Sequence, residues 1–244
     1  MSSKTTTTER EWTTPEGHPP VIVREVVSEV STEQEKFAAE AAAARANERK
    51  LLAEAEKAEL ELAKAKRLEA TELATDRHHH VYVFDEPVGS SSVKKCISQL
   101  TEWMRNNPGC DIELIIDSPG GSVIDGMHLW DFLSIVKARG HRLTTTALGY
   151  AASMGGILLQ AGDVRVLGRQ SYVLIHEVSF GAGGKIGEVE DEVAFVKKIQ
   201  ERVLDIFAER SNLSKSKLRT MWRRKDVWLD SDECLKYKLV DEVR

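Results

Sequence analysis

The sequence predicts an α/β chain in which a largely parallel sheet is covered by helices, with a long charged helix in front. Three observations carry this. After His78, short apolar runs alternate with segments of helical period, the pattern of strands joined by crossover helices. Residues 33–75 are dominated by Ala, Glu, Lys, Leu and Arg and hold no Gly or Pro. Residues 1–30 are rich in Thr, Glu and Pro, with a single apolar cluster at Val21 to Val27.

The elements follow in order. Pro15, Pro19 and Pro20 interrupt any helix in residues 1–30, which read as a disordered tail. Ser31 with Gln34, and Thr32 with Glu35, have capping-box spacing, so a helix starts there and the appendage spans residues 31–76. At 1.5 Å per residue it would extend roughly 65 Å. Leu51, Leu52, Leu60, Leu62, Leu68 and Leu73 hold no heptad, so it reads as a solvated helix, with docking or assembly as the alternative role.

Residues 77–244 form the α/β domain. Strands are expected at Val81 to Phe84, Ile112 to Ile116, Leu143 to Leu148, Val164 to Leu167 and Tyr172 to His176. Helices are expected at Ser92 to Asn106, Val123 to Ala138, Ala152 to Gln160, Ile186 to Arg210, Leu213 to Trp222 and Ser231 to Tyr237. In Ile186 to Arg210, the residues Val189, Val193, Val196, Val203 and Ile206 make an apolar stripe broad enough to bury.

Composition excludes several functions. The formal charge of −5 with scattered basic residues offers no positive stripe for nucleic acid. No apolar run approaches the roughly 18–20 residues that span a bilayer, and the start lacks the pattern of a secretory signal, so no membrane partner and a cytoplasmic location are expected. Cys96, Cys110 and Cys234 are odd in number and lack C-x-x-C spacing, which argues against a disulfide framework or a zinc site. His78, His79 and His80 cannot all converge on a metal if the segment is extended, so they read as the approach to a strand. Neither metal nor organic cofactor is expected.

Three segments carry chemistry. Amide hydrolysis by serine needs a hydroxyl on a sharp turn, a histidine to take its proton, a carboxylate to orient the imidazole, and backbone N–H groups for the oxyanion. Gly149-Tyr150-Ala151-Ala152-Ser153-Met154-Gly155-Gly156 lies between a strand and a helix, and Ser153 opens that helix as either nucleophile or cap. Asp117-Ser118-Pro119-Gly120-Gly121-Ser122 ends a buried strand in a turn that can expose N–H groups. His176 closes the strand from Tyr172, where a structural histidine is the plainer alternative.

These segments, with Gly126-Met127 and the tail from Asp226-x-x-Leu229 to Tyr237-x-Leu239-Val240-Asp241, resemble in order and spacing the proteolytic subunit of the caseinolytic (ClpP-type) serine proteases. The resemblance covers residues 80–244. It implies the ClpP/crotonase superfold, a spiral of β-β-α repeats with a protruding handle helix, which falls at Ile186 to Arg210. Ser153 then matches the nucleophile, His176 the base and Asp226 the triad carboxylate, with Asp230 and Asp232 as nearby competitors. Gly121 and Met154 match the oxyanion donors. Ser122 and Val123, with Phe180 and Gly181 opposite, match the edges that bind a substrate peptide as an added strand. The family builds chambers of two stacked seven-membered rings, so self-assembly and a protein or peptide substrate are expected.

Departures from the family pattern qualify this. Glu177 and Val178 follow His176 where the family usually has Gln and Pro, and Tyr150 replaces a Gln; neither removes a catalytic group. Glu113 and Ile115 stand where the family tends to place aromatics, which counts against docking of an ATP-dependent unfoldase. The expected function is a serine endopeptidase acting on unfolded or captive proteins, with a processing role such as capsid maturation within a virus particle precursor fitting the long front helix. The alternative is an assembly or scaffold protein of the same fold in which cleavage is dispensable.

Overall fold

The computed structural model describes residues 5–12, 21–28 and 32–244. By contacts the chain divides into two compact units, residues 1–70 and 71–244. In the first, strands β1 (Thr5–Trp12) and β2 (Val21–Ser28) pair antiparallel, from Thr5 opposite Ser28 to Trp12 opposite Val21. This departs from the structureless tail expected for residues 1–30. Both stretches are rich in β-branched Thr, Val and Ile, which favour the pleated conformation. The prolines that suggested a tail lie outside the described residues, as does the cap read at Ser31.

Helix α1 (Thr32–Leu73) is continuous. From Glu33 to Ala70 its side chains are exposed except for half-buried Ala41. Exposed pairs such as Lys64–Glu61 (3.3 Å) and Lys50–Glu54 (3.9 Å) add a few tenths of a kcal/mol each at most. After it, residues 74–80 form turns, with His80 at φ 56°, so the three histidines sit in a turn rather than on an extended approach to the strand. No group of three or more potential metal ligands occurs among the described residues.

The second unit runs β3 (Val81–Phe84), α2 (Ser90–Asn106), β4 (Ile112–Ser118), α3 (Val123–Ala138), β5 (Leu143–Ala152), α4 (Met154–Leu159), β6 (Val164–Leu167) and β7 (Tyr172–Ile175). It continues through α5 (Ile186–Arg210), α6 (Lys215–Trp222), β8 (Val227–Leu229), α7 (Ser231–Lys236) and β9 (Glu242–Val243). Strands β3, β4, β5, β6 and β9 pair in that order, all parallel. Along β4, Ile112, Leu114 and Ile116 are fully buried while Glu113 and Ile115 on the other face are half-buried, the period of two of a sheet covered more heavily on one side. Leu100 and Trp103 of α2, Leu129 and Leu133 of α3, and Leu158 and Leu159 of α4 complete this core.

Strand β5 is longer than its apolar run because it serves two partners in turn. Thr144 to Ala147 pair with β6, and Tyr150 to Ala152 pair with β7. Between them the strand passes Gly149, where Ser171 Oγ accepts from Gly149 N (2.9 Å) and Asp117 Oδ1 accepts from Tyr150 N (3.3 Å). Strand β7 in turn pairs antiparallel with β8, an element the periodicity did not reveal.

The stripe read on α5 joins the core of this chain only at its C-terminal part: Val203, Leu204 and Phe207 are buried, whereas Val189, Val193 and Val196 are half-buried and Ile186 and Phe195 are exposed. The base of α5 is tied to α6 by Arg219–Glu201 and Lys215–Asp205 ion pairs and by Phe207 lying edge-on to Trp222 at 6.2 Å.

Candidate active site

Two strand registers place the site. In the parallel pair of β5 and β7, Ala152 lies beside Leu174, and Ser153 N donates to Leu174 O (3.0 Å). Ser153 therefore leaves the sheet next to the end of β7, where His176 follows Ile175. In the antiparallel pair of β7 and β8, Val173 opposes Leu229 and Ile175 opposes Val227. One step further along that register sets His176 opposite Asp226, the spacing at which cross-strand side chains meet.

Ser153 turns the chain sharply, with φ 54° and ψ −118°, a region that non-glycine residues rarely occupy. It stands at the N-cap position of α4, but its side chain makes no capping hydrogen bond. Instead its Oγ lies 2.7 Å from His176 Nε2. The hydroxyl thus faces the imidazole rather than the first turn of α4. His176 Nδ1 is 3.7 Å from Asp226 Oδ1, close for an ion pair but beyond a hydrogen bond. The imidazole is mostly covered, whereas the Asp226 carboxylate is 63 % exposed. Asp230 is used elsewhere: it caps α7, its Oδ1 accepting from Glu233 N (2.9 Å), and Asp232 pairs with Arg169 at 3.1 Å.

The Pro119-Gly120-Gly121 turn packs against the serine turn. A Cβ at Gly120 would lie 2.6 Å from Ala152 O and 2.7 Å from Ser153 Cβ, so only glycine lets the two turns approach this closely. Gly121 holds φ 146°, and a Cβ there would strike the Val88 carbonyl, which accepts from Ser122 N (2.8 Å). Ser118, fully buried, braces the turn by donating from Oγ to Glu86 O (2.7 Å) and accepting from Gly120 N (3.2 Å). Met154 opens α4, so its N–H has no carbonyl one turn earlier to bond.

Gly121, Ser153, Met154 and His176 line one cavity. Its remaining walls mix Val123, Ile157, Ile175, Val178, Val203 and Phe207 with the polar Glu177 and Ser179. Ser122 is occupied as the cap of α3, its Oγ accepting from Asp125 N (3.3 Å). Phe180 and Gly181 are exposed and do not line the cavity; from that segment Glu177, Val178 and Ser179 do. Ile157, Val203 and Phe207 were not foreseen as site residues, although Val203 belongs to the apolar stripe read on α5. On its solvent side His176 borders an open cleft lined by Glu177, Val178, Ser179, Arg224, Lys225 and Asp226.

The profile of the family described as Clp protease matches residues 68–244. A relative from Deinococcus radiodurans, the "ATP-dependent Clp protease proteolytic subunit", is 33 % identical over 159 residues, covering 64 % of this chain and 76 % of the relative.

Proposed function

This chain belongs to the Clp protease family, and from that premise we propose that it is a serine endopeptidase in which Ser153, His176 and Asp226 act as nucleophile, base and orienting carboxylate. The observation that carries the reading is the 2.7 Å approach of Ser153 Oγ to His176 Nε2 from a strained turn that leaves the hydroxyl no capping role. With Nε2 as acceptor, the hydroxyl gives up its proton as Oγ attacks the scissile carbonyl carbon. The carbonyl oxygen takes the negative charge and accepts from the N–H groups of Gly121 and Met154. His176 then passes the proton to the leaving amine as the C–N bond breaks. Water, deprotonated by the same imidazole, releases the acyl group and restores the hydroxyl. Asp226 favours the imidazolium formed between these steps.

Ser122 and Val123 on one edge, with the segment through Phe180 and Gly181 on the other, would hold the substrate main chain as an added strand. The exposed outer half of α5, with Ile186 and Phe195 uncovered, supports self-assembly into a chamber. Thr146 Oγ1 donates to Glu113 Oε1 (2.5 Å), so the strand position at which the family tends to place an aromatic carries a polar pair. That favours processing of captive protein over feeding by an unfoldase.

Labelling by a fluorophosphonate, read by intact mass on the full-length protein, tests the reading. One adduct on the wild type and none on Ser153→Ala is expected. Absence of any adduct on the wild type would leave the assembly-protein reading standing in its place.

A further inference from the structure

The carboxylate that orients the base sits on a short exposed turn, and we infer that Glu177 is a positioning residue that fastens this turn to the base. The inference rests on the proposed role of Asp226. Residues 223–226 connect α6 to β8, and Arg224 within them holds φ 58°, a left-handed conformation costly for a side chain with a Cβ. Lys225 N donates to Trp222 O (3.1 Å), which closes the turn on itself. One hydrogen bond ties it outward: Arg224 N donates to Glu177 Oε2 at 3.2 Å, across 47 residues of sequence.

Glu177 directly follows His176 and lines both the cavity at Ser153 and the cleft at Asp226. The side chain carries an acceptor oxygen to the reach this backbone N–H requires. Without it, an exposed turn with a strained residue would hold Asp226 only through its flanks, buried Trp222 at the end of α6 and the three paired residues of β8. The 3.7 Å separation of His176 Nδ1 and Asp226 Oδ1 leaves little room for further drift before the carboxylate ceases to orient the ring.

The reach of the side chain matters here more than its charge. Glutamine keeps an acceptor oxygen at the same reach and loses the charge. Aspartate keeps the charge and withdraws the acceptor by one methylene. We therefore expect Glu177→Gln to turn over a fluorogenic amide of an apolar dipeptide within about threefold of the wild type, and Glu177→Asp and Glu177→Ala to lose kcat about tenfold with KM unchanged.

Full-length variants are compared with Asp226→Ala on the same substrate, and each is matched to the wild type in thermal midpoint and assembled mass. Wild-type kcat in both Glu177→Asp and Glu177→Ala would overturn the inference. So would a rise in KM at constant kcat, which would make Glu177 a substrate contact, or an equal loss in Glu177→Gln and Glu177→Asp, which would remove the acceptor as the cause. If Glu177→Ala fails to fold, the Gln and Asp pair decides alone. Wild-type turnover by Asp226→Ala would dismiss the role of Asp226 and this inference with it, whereas loss there and none at Glu177 dismisses this inference only.

Discussion

The conformation of Ser153 is expensive for a residue with a Cβ, on the order of 1–3 kcal/mol. It persists because its neighbours determine it: Leu174 O holds its N–H, and Gly120 admits the turn from the other side. Gly121→Ala should therefore cost at least about 1 kcal/mol, since it forces a positive φ on alanine and pushes a methyl into the Val88 carbonyl. It should also swing away the N–H proposed to bind the oxyanion, lowering kcat by about 10²-fold, close to the loss of one such donor elsewhere. Urea midpoints and peptide turnover of the same preparation would show both effects, and a stable, fully active variant would exclude this N–H from the reaction. Asp226→Asn should lower kcat by roughly 10³-fold at unchanged KM. Steady-state kinetics near pH 7 check this; a loss below about threefold would mean that the exposed carboxylate does not hold the ring.

Among the elements, α6 and β8 matter most to the site because together they deliver Asp226. Trp222, at the end of α6, is 1 % exposed and packs edge-on to Phe207 of α5. Its indole N–H is buried with no hydrogen-bond partner. Trp222→Ala should destabilise the protein by about 3–5 kcal/mol, whereas Trp222→Phe, which also removes the unpartnered N–H, should cost about 1 kcal/mol or less. Denaturant melts distinguish these outcomes, and comparable losses in both would mean that the indole has a role beyond filling space.

The same elements show where sequence reading stopped. Helices α3 and α5 and strands β3 and β6 were readable to the residue, since each is an apolar or helix-favouring run bounded by a cap or turn. Strand β8 was not: Val227-Trp228-Leu229 is too short to display alternation, and its Trp228 side chain is half exposed. Its one available signal was the capping box at Asp230 and Glu233, which fixes the start of α7 and leaves a β-favouring triplet before it. The reach of β5 past Gly149 was hidden for a different reason. Its support comes from Ser171 and Asp117, distant positions that no local window contains. Ser153, His176 and Asp226 could be put forward from the sequence because motif order survives such local ambiguity.

For the molecule as a whole, the C-terminal strand is held by a buried cation. Arg165 donates to Asp241 from Nε (2.9 Å) and Nη2 (2.6 Å), and from Nη1 to Gln160 Oε1 (2.9 Å) and Lys238 O (3.1 Å). The hydrogen bond from Arg165 holds the Asp241 carboxyl below its usual range, against partial burial that raises it. A depressed carboxyl contributes stability that is complete above its unfolded value of about 3.9 and is lost as pH falls through the lower folded value. Asp241→Asn should thus destabilise by about 1 kcal/mol near neutrality, a modest figure because this carboxylate is 41 % exposed, and the gap should close below about pH 4. Urea melts from pH 3 to 7 would reveal it, and a gap independent of pH would exclude the ion pair as its origin. Residues 71–244 form their own compact unit, so this fragment should fold alone and take up the fluorophosphonate. An insoluble fragment would show that residues 1–70 are needed to complete it. The ladder between β7 and β8 has a consequence for descent. Register, not chain distance, addresses Asp226 to His176, so insertions and deletions within the exposed segment 180–184 can accumulate without parting them. A single residue lost from Val227–Leu229 would instead turn Asp226 to the opposite face, a frameshift in space that leaves the rest of the sequence intact.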